Sequence, residues 1–403
     1  MWFRPESEAP PTAGLPLGLA DLRCSSAAPL TALAATWLGV EEVQLECSGT
    51  AALTVALTAL AGAAPGRREV AIPAFTCPLV PLAIRRAGLV PRLVDLCAGH
   101  FDMDPQRLAA ACGEQTLAVM PTHLGGRLAD VASASVIAHG VGAVTIEDAA
   151  QALGARIDGG YAGTRGDIGF FSLAAGKGLS IFEGGLLVAR DESLRALFRQ
   201  TSKRIAAWNP GWELRRSLEL AGYSLFYRPG GLGLAYGGPL RRALRRGDLL
   251  SAAGEHFSAD FPLHRVGRWR QSVGARAFGR LPAFIEATTA QARSRVARLG
   301  QIPGVHVFAD EGGTWPYLML RLPDEAMRDA VLLRLWSSRH GVARMFIHAL
   351  PDYAYLETMP GGEDVPQARD FAARTMTVTN SLWLDDDAFE HVCAVIEAVV
   401  VSH

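Results

Sequence analysis

Residues 144–155 read VTIEDAAQALGA, residues 156–167 RIDGGYAGTRGD and residues 168–189 IGFFSLAAGKGLSIFEGGLLVA. Two apolar, strand-like runs each lead into a candidate site. Val144 to Ile146 stops at Glu147 and Asp148; Ile168 to Leu173 stops at the small-residue run that carries Lys177. Ligands of open α/β sheets lie beyond the carboxyl ends of the strands, so Asp148 and Lys177 are expected to face one pocket. Ala174, Ala175 and Gly176 before the lysine and Gly178 after it permit close backbone approach and leave the amine accessible. That setting suits a Schiff-base nucleophile. The local pattern alone also fits a solvated lysine in a Gly-rich loop and an acidic helix cap. It raises a chemical site without establishing one.

Outward from this stretch the rhythm is strand, helix, strand. Residues 1–20 are rich in proline and glycine and read as an irregular arm, packed on a partner subunit or loose. A helix is expected near 28–38 and a short strand at 42–46. Cys47, Ser48, Gly49 and Thr50 then lead into an alanine- and leucine-rich helix over 51–61 that stops at Gly62. This turn puts Ser48, Gly49 and Thr50 at a helix N-terminus, where free backbone N–H groups and the helix dipole favour phosphate; a plain Ser/Thr cap is the simpler reading. Strands at 70–72 and 90–94 flank a helix at 79–87, and the alternation continues through 115–119, 131–139 and 144–146. It is the pattern of a doubly wound α/β sheet.

Size and composition bound the answer. The 403 residues exceed a single core and suggest two lobes. A net charge of −1 speaks against a nucleic-acid partner for the chain as a whole. The six cysteines, Cys24, Cys47, Cys77, Cys97, Cys112 and Cys393, form neither a CxxC pair nor a dense scaffold, so a reducing, cytoplasmic setting is expected. MWFRPESEAPP has no apolar signal core, and no uncharged apolar run is long enough to span a bilayer. Metal-ligand spacings such as HxH and HExxH are absent, so no metal site is expected, and no GxGxxG opens the first α/β unit.

Five segments in order carry a resemblance: CSGTAALTVALTALAG at 47–62, VAIPAFTCP at 70–78, PTHLGGRLAD at 121–130, IEDAAQALGA at 146–155 and the lysine segment at 170–185. The chain resembles the DegT/DnrJ/EryC1/StrS family of pyridoxal 5'-phosphate (PLP) aminotransferases. The likeness is close from about 40 to 195 and looser beyond. It implies the PLP-dependent transferase fold type I, with a large domain around a mostly parallel sheet and a smaller C-terminal α/β domain. The expected divisions are an arm at 1–25, a PLP domain at 26–280 and a small domain at 281–403. The implied activity moves an amino group from glutamate or glutamine to a nucleotide-linked keto sugar.

The resemblance also assigns roles. Lys177 is the Schiff-base lysine and the proton carrier; Asp148 holds the pyridine nitrogen protonated, so that the ring withdraws electrons. Gly49, Thr50 and Ser172 take the phosphate, with Ser48 adjoining, and Gln151 sits near the ring oxygen or phosphate. If a helix begins near Asp148, Gln151 shares its face. His123 lies in a cofactor-side loop, with lining, structural and proton-transfer roles all open. Three positions depart from the pattern. Cys77 stands where an aromatic residue stacks on the ring, with Phe75 or the 121–126 loop as compensators. Gly176 stands where threonine is usual, and Leu263 replaces the asparagine that reaches the partner's phosphate. Arg265 in the same segment is retained, and a homodimer with shared active sites is implied.

Residues 200–250 are the unusual part. A helix is expected over 213–227, followed by a flexible, apolar RPGGLGLAYGGP and the cluster Arg241, Arg242, Arg245 and Arg246. Three readings stay open: a subunit contact or core, a lid over a large substrate, and a peripheral membrane or lipid-linked substrate contact. Farther on, helices are expected at 283–298, 325–340 and 385–400, with strands at 315–320 and 345–348. His348 is a candidate substrate contact, with a structural role as the alternative. The rival functions are an aminotransferase for a bulky or lipid-linked carbonyl and a non-catalytic PLP-binding regulatory or structural protein.

Overall fold

Thirteen strands follow in chain order: β1 (Gln44–Glu46), β2 (Glu69–Pro73), β3 (Val90–Val94), β4 (Thr116–Val119), β5 (Val144–Asp148), β6 (Arg156–Ile157), β7 (Gly160–Tyr161), β8 (Ile168–Ser172), β9 (Gly185–Ala189), β10 (His306–Val307), β11 (Tyr317–Arg321), β12 (Val342–Ala343) and β13 (Thr375–Thr379). The structure is a computed structural model and describes residues 7–23 and 28–402; residues 1–6 and 24–25 of the expected arm, Cys24 among them, lie outside these. Seven strands form one sheet in the order β1-β9-β8-β5-β4-β2-β3. The five strands from β8 to β3 run parallel, and β9 and β1 close one edge antiparallel. Such a sheet is covered on both faces, so its strands read as nearly continuous apolar runs; β4 and β9 are buried at every position.

The helix Gly49–Ala63 shows how the sequence builds the large lobe. Ser48 caps it, its Oγ accepting the Ala51 N–H at 3.0 Å. Ala51, Ala52, Leu53, Val55, Ala56 and Leu57 are all buried, as expected of a core helix with no polar stripe. Truncating Leu57 to alanine should cost about 2–5 kcal/mol. The second sheet, β10-β11-β13-β12, is antiparallel. Leu318, Leu320 and Val378 from this sheet share a core with Val331, Val392 and Ile396 of the helices Glu325–Leu335 and Asp386–Val401.

Three local expectations are corrected. The arm does not hang loose between residues 7 and 23. Ala9, Ala13, Leu15 and Leu17 are buried, and backbone bonds tie Glu8 to Pro229, Ala13 to Pro316 and Leu15 to Gly178. The run after residue 227 is helical rather than flexible, through Pro229–Leu232, Gly233–Gly237 and Gly238–Arg245. Its glycines serve close packing: a Cβ on Gly237 would fall 1.9 Å from Glu8 Oε2. Residues 345–348 form no strand; the short strand of that region is β12, at the sheet edge.

The helix Pro210–Phe226 starts from an Asn209 cap, with Pro210 in its first turn, and is fastened from beneath. Fully buried Arg270 meets Glu213 through two bonds of 2.9 and 2.6 Å. Among the described residues no helix is long and apolar enough to cross a membrane, and no cluster of His, Cys, Asp and Glu could hold a metal ion.

Candidate active site

A cavity of about 390 Å³ opens beyond the carboxyl ends of β5 and β8. Its wall includes Gly49, Thr50, Cys77, His123, Asp148, Gln151, Ser172 and Lys177. Residues scattered over nearly 130 positions of sequence meet here because the parallel strands end on one side.

Asp148 ends β5 and is buried; Oδ1 accepts the Ala150 N–H at 3.0 Å. Burial pushes its carboxyl up, against the opposing pull of that N–H and of Lys177. Burial likewise pushes the Lys177 ammonium down, and Cys77 and Asp148 oppose the shift. A lysine with a lowered pKa holds more of its amine in the nucleophilic form. Residues 149–154 are turns, so no helix starts near Asp148 and the expected shared face with Gln151 does not arise. Gln151 is placed instead by its own bonds: Oε1 accepts the Gly125 N–H at 2.7 Å and the Tyr317 hydroxyl at 3.0 Å.

The mouth of the helix Gly49–Ala63 forms one end of the cavity. A Cβ on Gly49 would sit 3.1 Å from Ser172 Cβ, so a side chain there would press on the end of β8. This puts the Ser172 side chain beside the helix N-terminus, whose first N–H groups point outward.

Gly176 has a physical reason to be glycine. Its φ is +77°, and a Cβ would lie 2.6 Å from Thr12 Oγ1. Thr12 donates to the Gly176 carbonyl at 2.8 Å, and the Gly176 N–H donates to the Tyr223 hydroxyl at 3.2 Å. The arm therefore pins the lysine turn, a role no local motif signalled. Phe75 does not compensate for Cys77: it is buried against Phe346 and Phe371, at centroid distances of 5.5 and 5.1 Å. Phe346 itself lines the cavity, as do Thr122, His123 and Leu124. The Cys77 thiol is pushed up to about 12 by burial and is not a thiolate at neutral pH.

Both ring nitrogens of His123 have partners. Its Nε2 lies 2.9 Å from Glu147 Oε2 and its Nδ1 accepts the Ala129 N–H at 3.0 Å. Arg265 and His348 are exposed and do not line the cavity of this chain; Arg265 Nε donates to the Ala206 carbonyl at 3.2 Å. Leu263 is half-buried and packs on the large-lobe core. Sequence reasoning missed Thr76 and Thr122. Both line the cavity, and each keeps a buried hydroxyl without a hydrogen-bond partner. Each adjoins a flagged residue, Cys77 or His123, and that adjacency was the available signal.

Residues 28–213 match the sequence model of the DegT/DnrJ/EryC1/StrS aminotransferase family. Over that span this chain is similar to the family. Protein MosB of Rhizobium meliloti is 39% identical over 163 residues, covering 40% of this chain and 32% of the relative. GDP-perosamine synthase of Caulobacter vibrioides is 34% identical over 165 residues, covering 41% and 44%. The chain thus matches less than half the length of either curated relative. DesI, solved in the presence of its TDP-sugar product, superposes with a TM-score of 0.72 at 24% identity, over 98% of this chain and 94% of that one. Likeness at that identity establishes the shared fold.

The residues present fit PLP. A helix N-terminus and two unpartnered threonine hydroxyls offer donors to a phosphate or to ring substituents. The carboxylate of Asp148 and the amine of Lys177 share the same wall.

Proposed function

We propose that this chain is a PLP-dependent aminotransferase that moves an amino group from glutamate or glutamine to a keto sugar carried on a nucleotide. One observation carries the reading: Lys177, Asp148, Ser172 and the Gly49–Thr50 helix start line a single cavity. When bound, PLP supplies an aldehyde for the lysine and an electron-withdrawing ring. Gly49, Thr50 and Ser172 would hold its phosphate. Asp148 would keep a proton on the ring nitrogen, and a cationic nitrogen there would offset the burial that pushes its carboxyl up. The amine of Lys177 would bind the cofactor, yield to the amino donor and then carry the proton at its Nζ. The fold neighbour solved with a sugar-nucleotide product supports the choice of acceptor.

The same reading takes 26–280 as the PLP domain, 281–403 as the small domain and the working unit as a homodimer. A second acceptor class draws on a separate observation. The substrate side of the cavity is apolar, with Leu79, Val80, Ala253, Phe257 and Phe346, and its described lining includes no arginine. A bulky or lipid-linked carbonyl suits such a wall. The test is a two-stage assay: amino-group uptake from glutamate or glutamine, followed by delivery to a nucleotide-linked keto sugar or to an apolar ketone. Failure of uptake from every amino acid would remove the aminotransferase reading.

A further inference from the structure

The helix Pro210–Phe226 turns an unpartnered apolar face outward. Leu214, Leu218 and Leu225 are 62%, 65% and 56% exposed, and helical spacing sets the three on one stripe. The opposite face, with Glu213, Leu220 and Tyr223, is buried. The chain then continues through Leu234, which is 78% exposed, to the helix Gly238–Arg245.

Charge separates this region from the rest. Residues 210–249 hold seven Arg against three Asp and Glu, a net +4 in a chain whose net charge is −1. Some of it is compensated internally: Arg241 pairs with Glu8, and Arg215 and Arg216 pair with Glu219. Arg228, Arg242, Arg245 and Arg246 have no ion pair among the described residues; Arg228, Arg242, Arg245 and Arg246 are also exposed. A groove of about 530 Å³ lies where this region meets the helix Glu325–Leu335, lined by Leu244, Leu249, Leu333, Arg241, Arg245 and Asp329 among others.

We propose that the segment Pro210–Leu249 docks the protein on an anionic phospholipid bilayer, with the exposed leucines entering the interface and the unpaired arginines meeting lipid phosphates. Exposed apolar side chains and unpaired arginines within one segment are what such a surface draws on. An isologous contact with a second copy fits less well. A contact made through Arg242, Arg245 and Arg246 of both copies would bring like charges together, which opposes association. The helix Leu249–Ala253 joins this surface to the active site, since Leu249 lines the groove and Ala253 lines the catalytic cavity.

The test is flotation of the full chain with vesicles of phosphatidylcholine alone and of phosphatidylcholine mixed equally with phosphatidylglycerol. Binding is expected only to the mixed vesicles and is expected to fall with added salt. The triple variant Arg242→Gln, Arg245→Gln, Arg246→Gln should bind about a hundredfold more weakly. The variant Leu214→Ser, Leu218→Ser should also lose binding. Because all five positions are exposed, near-ultraviolet circular dichroism should confirm an intact fold in both variants. Equal binding to both vesicle types, or none to either, would overturn the proposal. So would a dimer, seen by light scattering, that the leucine variant splits while the parent floats with no vesicle; that outcome assigns the face to a second copy.

Discussion

Nε2 of His123 lies 2.9 Å from Oε2 of Glu147, and neither side chain is exposed. Because Nδ1 accepts the Ala129 N–H, the proton sits on Nε2 and is donated to Glu147. The same carboxylate also accepts the Gly163 and Gly166 N–H groups at 2.8 and 2.6 Å. The pair ties the loop after β4 to the turn before β8, which makes His123 a positioning residue on the cavity wall.

Removing that carboxylate leaves several buried donors without an acceptor. Glu147→Ala should therefore cost about 3–5 kcal/mol in urea unfolding. The pH dependence follows from the direction of its shift. Burial raises the Glu147 pKa, but the His123 bond and charge and the Gly166 and Gly163 N–H groups outweigh it, and the net is below the ordinary 4.5. A depressed folded-state pKa gives stability that is full above 4.5 and is lost as pH falls through the folded value. Urea midpoints taken from neutrality into acid should fall more steeply for the parent than for Glu147→Gln. Parallel curves would mean that Glu147 is not the acid-sensitive group.

Lys177 and Asp148 can be separated by what each variant retains. Lys177→Ala should abolish multiple turnover yet still bind PLP through the phosphate end of the cavity. Borohydride reduction of the parent should fix the cofactor on Lys177, read by peptide mapping; label on Lys203 would sink the assignment. Asp148→Asn should keep the cofactor but slow proton removal by about two to three orders of magnitude. Single-turnover absorbance with glutamate measures that step, and an unchanged rate would show that Asp148 does not serve the ring nitrogen.

Gly176 and Thr12 form a third testable pair. With φ at +77° and Thr12 Oγ1 in the space a Cβ would take, Gly176→Ala should cost about 1–2 kcal/mol. Restoring the usual threonine there should do more harm, although it would add a hydroxyl. Thermal unfolding and the rate of cofactor release should shift together if the arm holds the lysine turn. A neutral Gly176→Thr would show that the arm gives way easily.

How much of this was legible follows from which forces are local. The parallel strands, the capped helix at Ser48 and the gathering of Asp148 and Lys177 could be read because apolar runs and strand ends are local signals. The helices over 229–245 could not: glycine and proline content argues for loop, and what overrides it is packing, with Glu8 lying against Gly237 and pairing with Arg241. His123 does line the cavity, as one of its open readings had it, but only the position of Glu147 on the neighbouring strand shows which carboxylate its ring meets. Phe75 is similar. Its partners Phe346 and Phe371 come from the far end of the chain, and no spacing rule links them.

Assembly is the last prediction. The chain is expected to be a homodimer whose active sites are completed across the boundary, and Arg265 is the residue on which this turns. In a single chain it is exposed, with Nε on the Ala206 carbonyl, so the rest of its guanidinium is free to reach outward. The neighbouring Leu263 cannot donate to a phosphate, whereas the fork of an arginine suits one. Arg265→Ala should therefore weaken PLP or acceptor binding by about 1.5–3 kcal/mol, the range of a bond to a charged group. The parent's affinity should fall with salt more steeply than that of the variant. Arg265→Lys should restore charge but not the planar fork, and so recover only part of the loss. Light scattering should give a dimer mass for the parent and for Arg265→Ala alike, because the substitution removes a phosphate contact and not the interface. A fully active monomer would defeat the shared site. A dimer with unchanged affinity in Arg265→Ala would defeat only the residue, leaving the phosphate to Gly49, Thr50 and Ser172 of the same chain.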